Sequence, residues 1–147
     1  MLDAGIQPMQ GQTQNHPKYT DGDAIVRVLI ADRSAHYRET LRRVLSQEAN
    51  CSVVGEAATL TGAVRLARTT NPDIALLDFD LVMNESSARL RRLANTFPRL
   101  YVVVMLNEYS EDYRRAVRER WGYSCIAKDQ AEEHLQRLVS RPRRAVV

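Results

Sequence analysis

The chain has 147 residues, of which 44% are hydrophobic, so it is long enough for one buried core and too short for two ordinary domains. Its formal net charge is only +3, whereas most nucleic-acid-binding domains carry many positive charges concentrated in one patch. Direct nucleic-acid binding is therefore not expected. We find no signal-peptide pattern and no apolar run of membrane length, and the two cysteines do not have metal-ligand spacing. These features predict a reduced cytoplasmic protein without a membrane contact.

The chain divides into three parts by composition. Residues 1–24 are rich in Gln, Gly, Asp and Pro without apolar periodicity, which predicts a flexible N-terminal extension. Residues 25–140 alternate short apolar runs with amphipathic helical patterns, and residues 141–147 are a basic C-terminal tail. Strands are predicted at 25–32, 51–57, 71–78, 99–106 and 123–127, and helices at 34–49, 59–70, 86–97, 110–121 and 129–140.

This alternation of five strands and five helices predicts an α/β fold with a doubly wound parallel sheet, because parallel strands need helical crossovers. The strands lack polar alternation, as burial on both faces requires. Chemistry in such sheets collects at the carboxyl ends of the strands. Strand ends carry Asp32 with Arg33 (first strand), Asp78 (third) and Lys128 (fifth), so we expect two carboxylates, an arginine and a lysine to meet at one edge.

The segments VRVLIAD, VVGEAAT, NPDIALLD and IAKD resemble the receiver domain of two-component response regulators over about residues 25–140. The resemblance implies a (βα)5 flavodoxin-like receiver fold with strand order 2-1-3-4-5. VVGEA and the terminal KD are most similar to the LuxR-like branch, whose members usually continue into a helix-turn-helix. No pattern of such a DNA-binding domain occurs among these residues.

The same resemblance implies roles for residues at the predicted edge. Asp78 is the nominal phosphoacceptor, Asp32 is one of an acidic pair beside it, and Lys128 contacts the phosphoryl group. The family binds a divalent metal such as Mg²⁺ between the acidic pair, the acceptor and the main-chain carbonyl two residues further on, here that of Asp80.

The sequence departs from the family pattern at four positions. Arg33 replaces the second acidic residue, which removes an oxygen ligand and places a cation where the metal would bind. Leu106 replaces the Thr or Ser that follows the phosphoryl group, and Val82 stands at the usual Pro position of the loop after the acceptor. Cys125 occupies the aromatic switch position, unless a one-residue insertion places Tyr123 there.

Two interpretations of Arg33 follow. Arg33 and Lys128 balance Asp32 and Asp78 without metal, and a bidentate pair between Arg33 and Asp78 would fix the acceptor. Since phosphoryl transfer depends on charge neutralisation, this pair predicts loss of metal-dependent phosphorylation and no bound metal. Alternatively, Arg33 points into solvent and leaves a weak metal site made by Asp32, Asp78 and the Asp80 carbonyl.

The leading hypothesis is an atypical receiver, or pseudo-receiver, that is not an enzyme and signals through protein contacts or dimerisation. By resemblance, the fourth helix, fifth strand and fifth helix form the usual dimer and output surface. Tyr109, Tyr113, Trp121 and Tyr123 are therefore predicted partner contacts, with plain packing as the alternative. Arginines of the third and fourth helices are interpreted as solvated helix faces.

Two other functions stay open at this point. One is a working phosphoreceiver that takes phosphate from a histidine kinase on Asp78 with Mg²⁺ as cofactor, as the regulatory part of a transcription regulator with an effector domain. The other is a flavodoxin-like small-molecule binder, which ranks last because no Gly-rich phosphate loop follows the first strand. The sequence does not specify the kinase, the partner or the oligomeric state.

Overall fold

The computed structural model describes residues 25–84 and 87–140, which form a parallel sheet with helices on both faces. The strand order is β2-β1-β3-β4-β5, which confirms the order that the resemblance to receiver domains implies. The strands are β1 (Val26–Ala31), β2 (Cys51–Ala57), β3 (Ile74–Asp78), β4 (Tyr101–Leu106) and β5 (Ser124–Ala127). The helices are α1 (Ala35–Leu45), α2 (Leu60–Thr70), α3 (Phe79–Met83), α4 (Ser87–Thr96), α5 (Glu111–Trp121) and α6 (Ala131–Ser140).

Local sequence signals explain where several helices begin and end. The side chains of Ser34, Thr59 and Ser110 accept hydrogen bonds from the third backbone N–H after them and so start α1, α2 and α5. Helices α2 and α5 end at Asn71 and Gly122, both in the left-handed conformation with φ of 51° and 74°. The three N-terminal caps set the lengths of the loops that follow β1, β2 and β4 at the carboxyl edge of the sheet.

Replacing Ser34 with alanine should lower the free energy of unfolding by about 1 kcal/mol, because the N–H of Tyr37 loses its acceptor at the start of α1. Urea unfolding followed by circular dichroism measures this change. Ser52→Ala on β2, where the side chain is exposed and caps no helix, is the matched control and should stay within ~0.5 kcal/mol of wild type.

The sheet separates two apolar cores, and β3 at its centre is buried throughout. One core packs α2, α4 and α5 against Leu29, Leu77 and Val104 of the sheet. The other packs α1 and α6 against Ile30, Leu76 and Met105 on the opposite face. Because both faces are close-packed, the ends of β1, β3 and β5 are held at fixed distances from one another.

Helix α3 is the main departure from the predicted elements, since no helix is predicted directly after Asp78. The segment Phe79–Met83 contains neither Pro nor Gly, so nothing in it interrupts a helical turn. Leu81 and Val82 are buried and anchor this turn on the sheet. The predicted third helix is α4, the predicted fourth is α5, and the predicted fifth is a 3-10 turn, Lys128–Gln130, followed by α6.

The predictions for residues 1–24 and 141–147 lie outside the described residues. No helix in the described part of the chain combines the length and the apolar character that crossing a membrane requires.

Candidate functional site

Asp32, Asp78 and Lys128 meet at the carboxyl edge of the sheet. The Nζ atom of Lys128 lies 2.7 Å from Oδ2 of Asp32 and 3.0 Å from Oδ1 of Asp78. Each aspartate is only 3% exposed. Parallel strands bring their carboxyl ends to one edge, so three residues that are far apart in sequence form one buried cluster, which we call the buried triad.

Within the buried triad, Asp78 is less well satisfied than Asp32. The contact from Lys128 to Asp32 is a hydrogen bond, whereas Oδ1 of Asp78 has no aligned hydrogen-bond donor among the described residues. Burial raises the pKa of Asp78, and the charge of Lys128 acts in the opposite direction. In the buried triad, a single ammonium group therefore compensates the charge of two carboxylates.

Tyr37 completes the enclosure of Lys128 and is a site residue that the sequence did not single out. The ammonium of Lys128 lies 4.6 Å from the centre of the Tyr37 ring, a cation–π contact, and the Tyr37 hydroxyl donates to the Lys128 carbonyl at 3.4 Å. Burial and the charge of Asp32 raise the pKa of Tyr37. Its sequence signal is weak, because a tyrosine in the first turn of a helix is also a normal core residue.

Arg33 contacts Asp80 and not Asp78, so the predicted Arg33–Asp78 pair is wrong. Its Nη2 atom lies 3.4 Å from Oδ2 of Asp80, and the Asn107 side-chain amide donates to the same oxygen at 3.4 Å. The side chains of Arg33 and Asp80 are 61% and 41% exposed. A guanidinium would lose its hydration to reach Asp78 beside Lys128, whereas Asp80 on α3 is open to solvent.

The oxygen atoms at this edge do not fit Mg²⁺, which requires near-octahedral oxygen ligands and prefers carboxylates and water. The carboxylates of Asp32 and Asp78 contact the same ammonium group. The carbonyl of Asp80 accepts the N–H of Asn84 at 3.2 Å inside α3. Across 25–84 and 87–140, no group of three metal-binding side chains is arranged around a common point.

Leu106 and Cys125 lie near the edge without polar contacts to the buried triad. Leu106 ends β4, is 1% exposed and pairs in register with Ala127. Cys125 is half-buried on β5, and burial raises the pKa of its thiol. The Tyr123 hydroxyl donates to the carbonyl of Leu90 at 3.4 Å, so its ring packs inward. Neither candidate for the switch position contacts Asp78.

The four predicted partner-contact aromatics fall into two pairs. Tyr109 and Tyr113 are 54% and 46% exposed, and the Tyr113 ring lies 4.9 Å from that of Phe79. Trp121 and Tyr123 are half-buried against the core, with ring centres 6.4 Å apart. The first pair is available to a partner, while the second stabilises the fold.

The comparison with protein families agrees with the sheet order. A family model described as the response regulator receiver domain matches residues 28–140. The chain belongs to this family. Receiver domains of response regulators act in two-component signalling. The parallel sheet and its strand order are those of the receiver fold.

Several known proteins are similar to this receiver domain. The protein-glutamate methylesterase/protein-glutamine glutaminase 1 of Myxococcus xanthus is 30% identical over 106 residues, which is 72% of this chain and 30% of that protein. The chain thus spans about a third of the length of such curated relatives.

Two solved structures share the fold. The signal receiver domain of NarL from Mycobacterium tuberculosis has a TM-score of 0.68 at 23% identity, covering 79% of this chain and 94% of that one. The receiver domain of RcsB from Salmonella enterica serovar Typhimurium, with the phosphomimetic BeF3⁻, has a TM-score of 0.66 at 19% identity, covering 77% and 84%. At these identities the similarity concerns the fold alone.

Proposed function

We propose that this receiver domain is a protein-interaction module that works without metal-dependent phosphorylation of Asp78. The observation that carries the proposal is the burial of Asp78: the residue is 3% exposed, in contact with Lys128, and followed at once by helix α3. In this role the domain is a binding module and not an enzyme.

Access to Asp78 supports this proposal. Phosphoryl transfer requires an in-line approach of the donor to the attacking oxygen. The Oδ1 atom of Asp78 is buried against Lys128, and the next residue, Phe79, packs its ring against Tyr113. A donor would have to displace these groups before it reached the carboxylate.

Charge gives independent support. A phosphoryl group adds about −1.5 to −2 charges, and enzymes of phosphoryl transfer neutralise this charge with metal ions and cationic side chains. Here Lys128 already serves two carboxylates, and Arg33 pairs with Asp80 away from the acceptor. An acyl phosphate on Asp78 would therefore lack sufficient positive charge.

The signal would then pass through protein contacts and not through a side chain that changes position when Asp78 carries a phosphoryl group. Leu106 is fully buried and has no hydroxyl that could form a hydrogen bond to a phosphoryl group. Tyr109 and Tyr113 offer exposed aromatic surface at the start of α5 for a partner. Self-association through α5, β5 and α6, and a cytoplasmic location, stay predictions.

A titration with Mg²⁺ and beryllofluoride, followed by amide NMR, tests the proposal. The wild type should show no saturable shift at Asp78 or Lys128, because the donor set does not fit the metal. Saturation of the wild type at these residues by both reagents would contradict the proposal. Arg33→Asp should also stay silent while α3 holds the Asp80 carbonyl, and Arg43→Asp, an exposed residue of α1, is the charge-matched control.

A working phosphoreceiver is the second candidate, and the convergence of Asp32, Asp78 and Lys128 favours it. In that case a histidine kinase would transfer phosphate to Asp78, and an attached effector domain would respond. Radiolabel transfer from autophosphorylated histidine kinases to the wild type, but not to Asp78→Asn, would establish this function in place of the first.

A further inference from the structure

The outer edge of β5 carries a groove that lies on the predicted partner surface of α5, β5 and α6 and is separate from the buried triad. The groove has a volume of about 460 Å³, lies between α5 and α6, and is floored by Ser124, Cys125 and Ile126. Basic side chains stand on its walls, namely Arg114, Arg118, His134 and Arg137. We call this feature the β5 groove, and its volume is in the range of ligand-binding clefts.

The charge of the β5 groove is only partly compensated. Arg114 pairs with Glu111 at 3.8 Å and Arg137 pairs with Glu133 at 3.5 Å, both in exposed contacts one helical turn apart. Such surface pairs are weak and readily exchanged. No acidic side chain of residues 25–84 or 87–140 lies within ion-pair distance of Arg118, which is exposed. The groove therefore attracts negative charge.

The floor of the β5 groove is a sheet edge. Strand β5 is the last strand of the sheet and pairs with β4 on one side only. The backbone groups on its other side face the groove, where they can pair with an added strand. An extended peptide that joins a sheet edge gains main-chain hydrogen bonds, and flanking side chains provide its specificity.

From these observations we infer that the β5 groove binds an acidic, extended segment of a partner protein. The segment would lie along β5 as an added strand and place its carboxylates against Arg114, Arg118 and Arg137. The inference rests on the proposed function, in which the domain acts through protein contacts, and it specifies the chemistry of the partner.

Two other occupants fit less well. A second copy joined through the same groove would bring two arginine-lined surfaces together, and like charges across an interface are unfavourable, so this inference counts against the predicted self-association through α5, β5 and α6. A nucleic acid would meet the carboxylates of Glu111 and Glu133 beside the arginines. A nucleic acid would also gain nothing from the unpaired edge of β5.

The test uses the full chain without Mg²⁺ and a fluorescein-labelled peptide that alternates Glu and Val. The matched peptide carries Gln in place of Glu. We expect saturable binding of the acidic peptide, at least about tenfold weaker binding of the Gln peptide, and amide shifts at Ser124, Cys125 and Ile126.

Arg118→Ala with Arg137→Ala should weaken binding about tenfold, since each lost ion pair changes affinity several-fold. Arg43→Ala with Arg68→Ala, on exposed faces of α1 and α2, should leave it unchanged.

Several results would overturn the inference. These are equal binding of both peptides, unchanged affinity in the groove variant, or shifts away from β5. Displacement of the peptide by an equal concentration of duplex DNA would assign the groove to nucleic acid, and a sedimenting dimer that the groove variant abolishes would assign it to a second copy. The Mg²⁺ and beryllofluoride titration is read out at Asp78 and not at β5, so failure of the proposed function is detected separately.

Discussion

Replacing Lys128 with methionine should lower the free energy of unfolding by about 3–5 kcal/mol, the usual cost of removing one partner from a buried ion pair. The loss arises because Asp32 and Asp78, each 3% exposed, would face each other without a compensating charge. Urea denaturation at neutral pH measures the change. The effect should exceed that of any exposed charge in the domain.

The pH dependence of the same variant separates charge from packing. Burial raises the pKa of Asp78, so its carboxyl group becomes neutral at a higher pH than an exposed aspartate does. A group with a raised folded-state pKa favours the folded state at low pH and loses that contribution as the pH rises. The deficit of Lys128→Met should therefore shrink on acidification. Adding Asp78→Asn should recover part of the stability at neutral pH, and a deficit that is independent of pH would point to packing.

Leu106→Thr should destabilise the domain by about 2–4 kcal/mol, because it removes buried apolar volume and buries a hydroxyl group. Leu106 is 1% exposed and belongs to the core between the sheet and α2, α4 and α5. Thermal and urea unfolding measure the loss. In the proposed function the new hydroxyl has no phosphoryl group to follow, so the variant should gain no response to beryllofluoride.

Leu106→Met is the matched control, since it conserves volume and should cost less than about 1.5 kcal/mol. If Leu106→Thr were as stable as Leu106→Met, the position would tolerate a polar group. Leu106 would then be a replaceable switch residue and not a structural part of the core.

Much of the sheet could be predicted from the sequence, and the reasons are local. The runs that form β1, β3 and β4 are mainly apolar and of strand length, with charged residues or Pro close to their ends. The strand order, in contrast, came from the resemblance to receivers, since periodicity does not specify which strands pair. Helix α3 was missed because five residues are too few to show a helical period.

At the site, backbone placement could be predicted better than side-chain partners. The strand ends alone brought Asp32, Asp78 and Lys128 together. The partner of Arg33 depended on the cost of desolvating a guanidinium, which a sequence does not show, and on α3, which turned Asp80 toward it.

The β5 groove was missed for a similar reason, because the arginines of α5 have the same sequence pattern on two faces. Arg115 pairs with Asp112 at 3.6 Å on the solvent side, whereas Arg114 and Arg118 line the groove. Which face a residue occupies depends on how α5 packs against the sheet, and the spacing of charged residues alone does not determine this.

The hydrogen bond between Asn84 and the Asp80 carbonyl bears on what a single substitution at position 33 can achieve. An acidic residue at position 33 would place another carboxylate next to Asp32 and facing Asp80, while the Asp80 carbonyl stayed inside α3. That variant would suffer like-charge repulsion without the benefit of a metal. In the proposed function, a metal site would need both α3 and the charge at position 33 to change, so a single substitution does not create one.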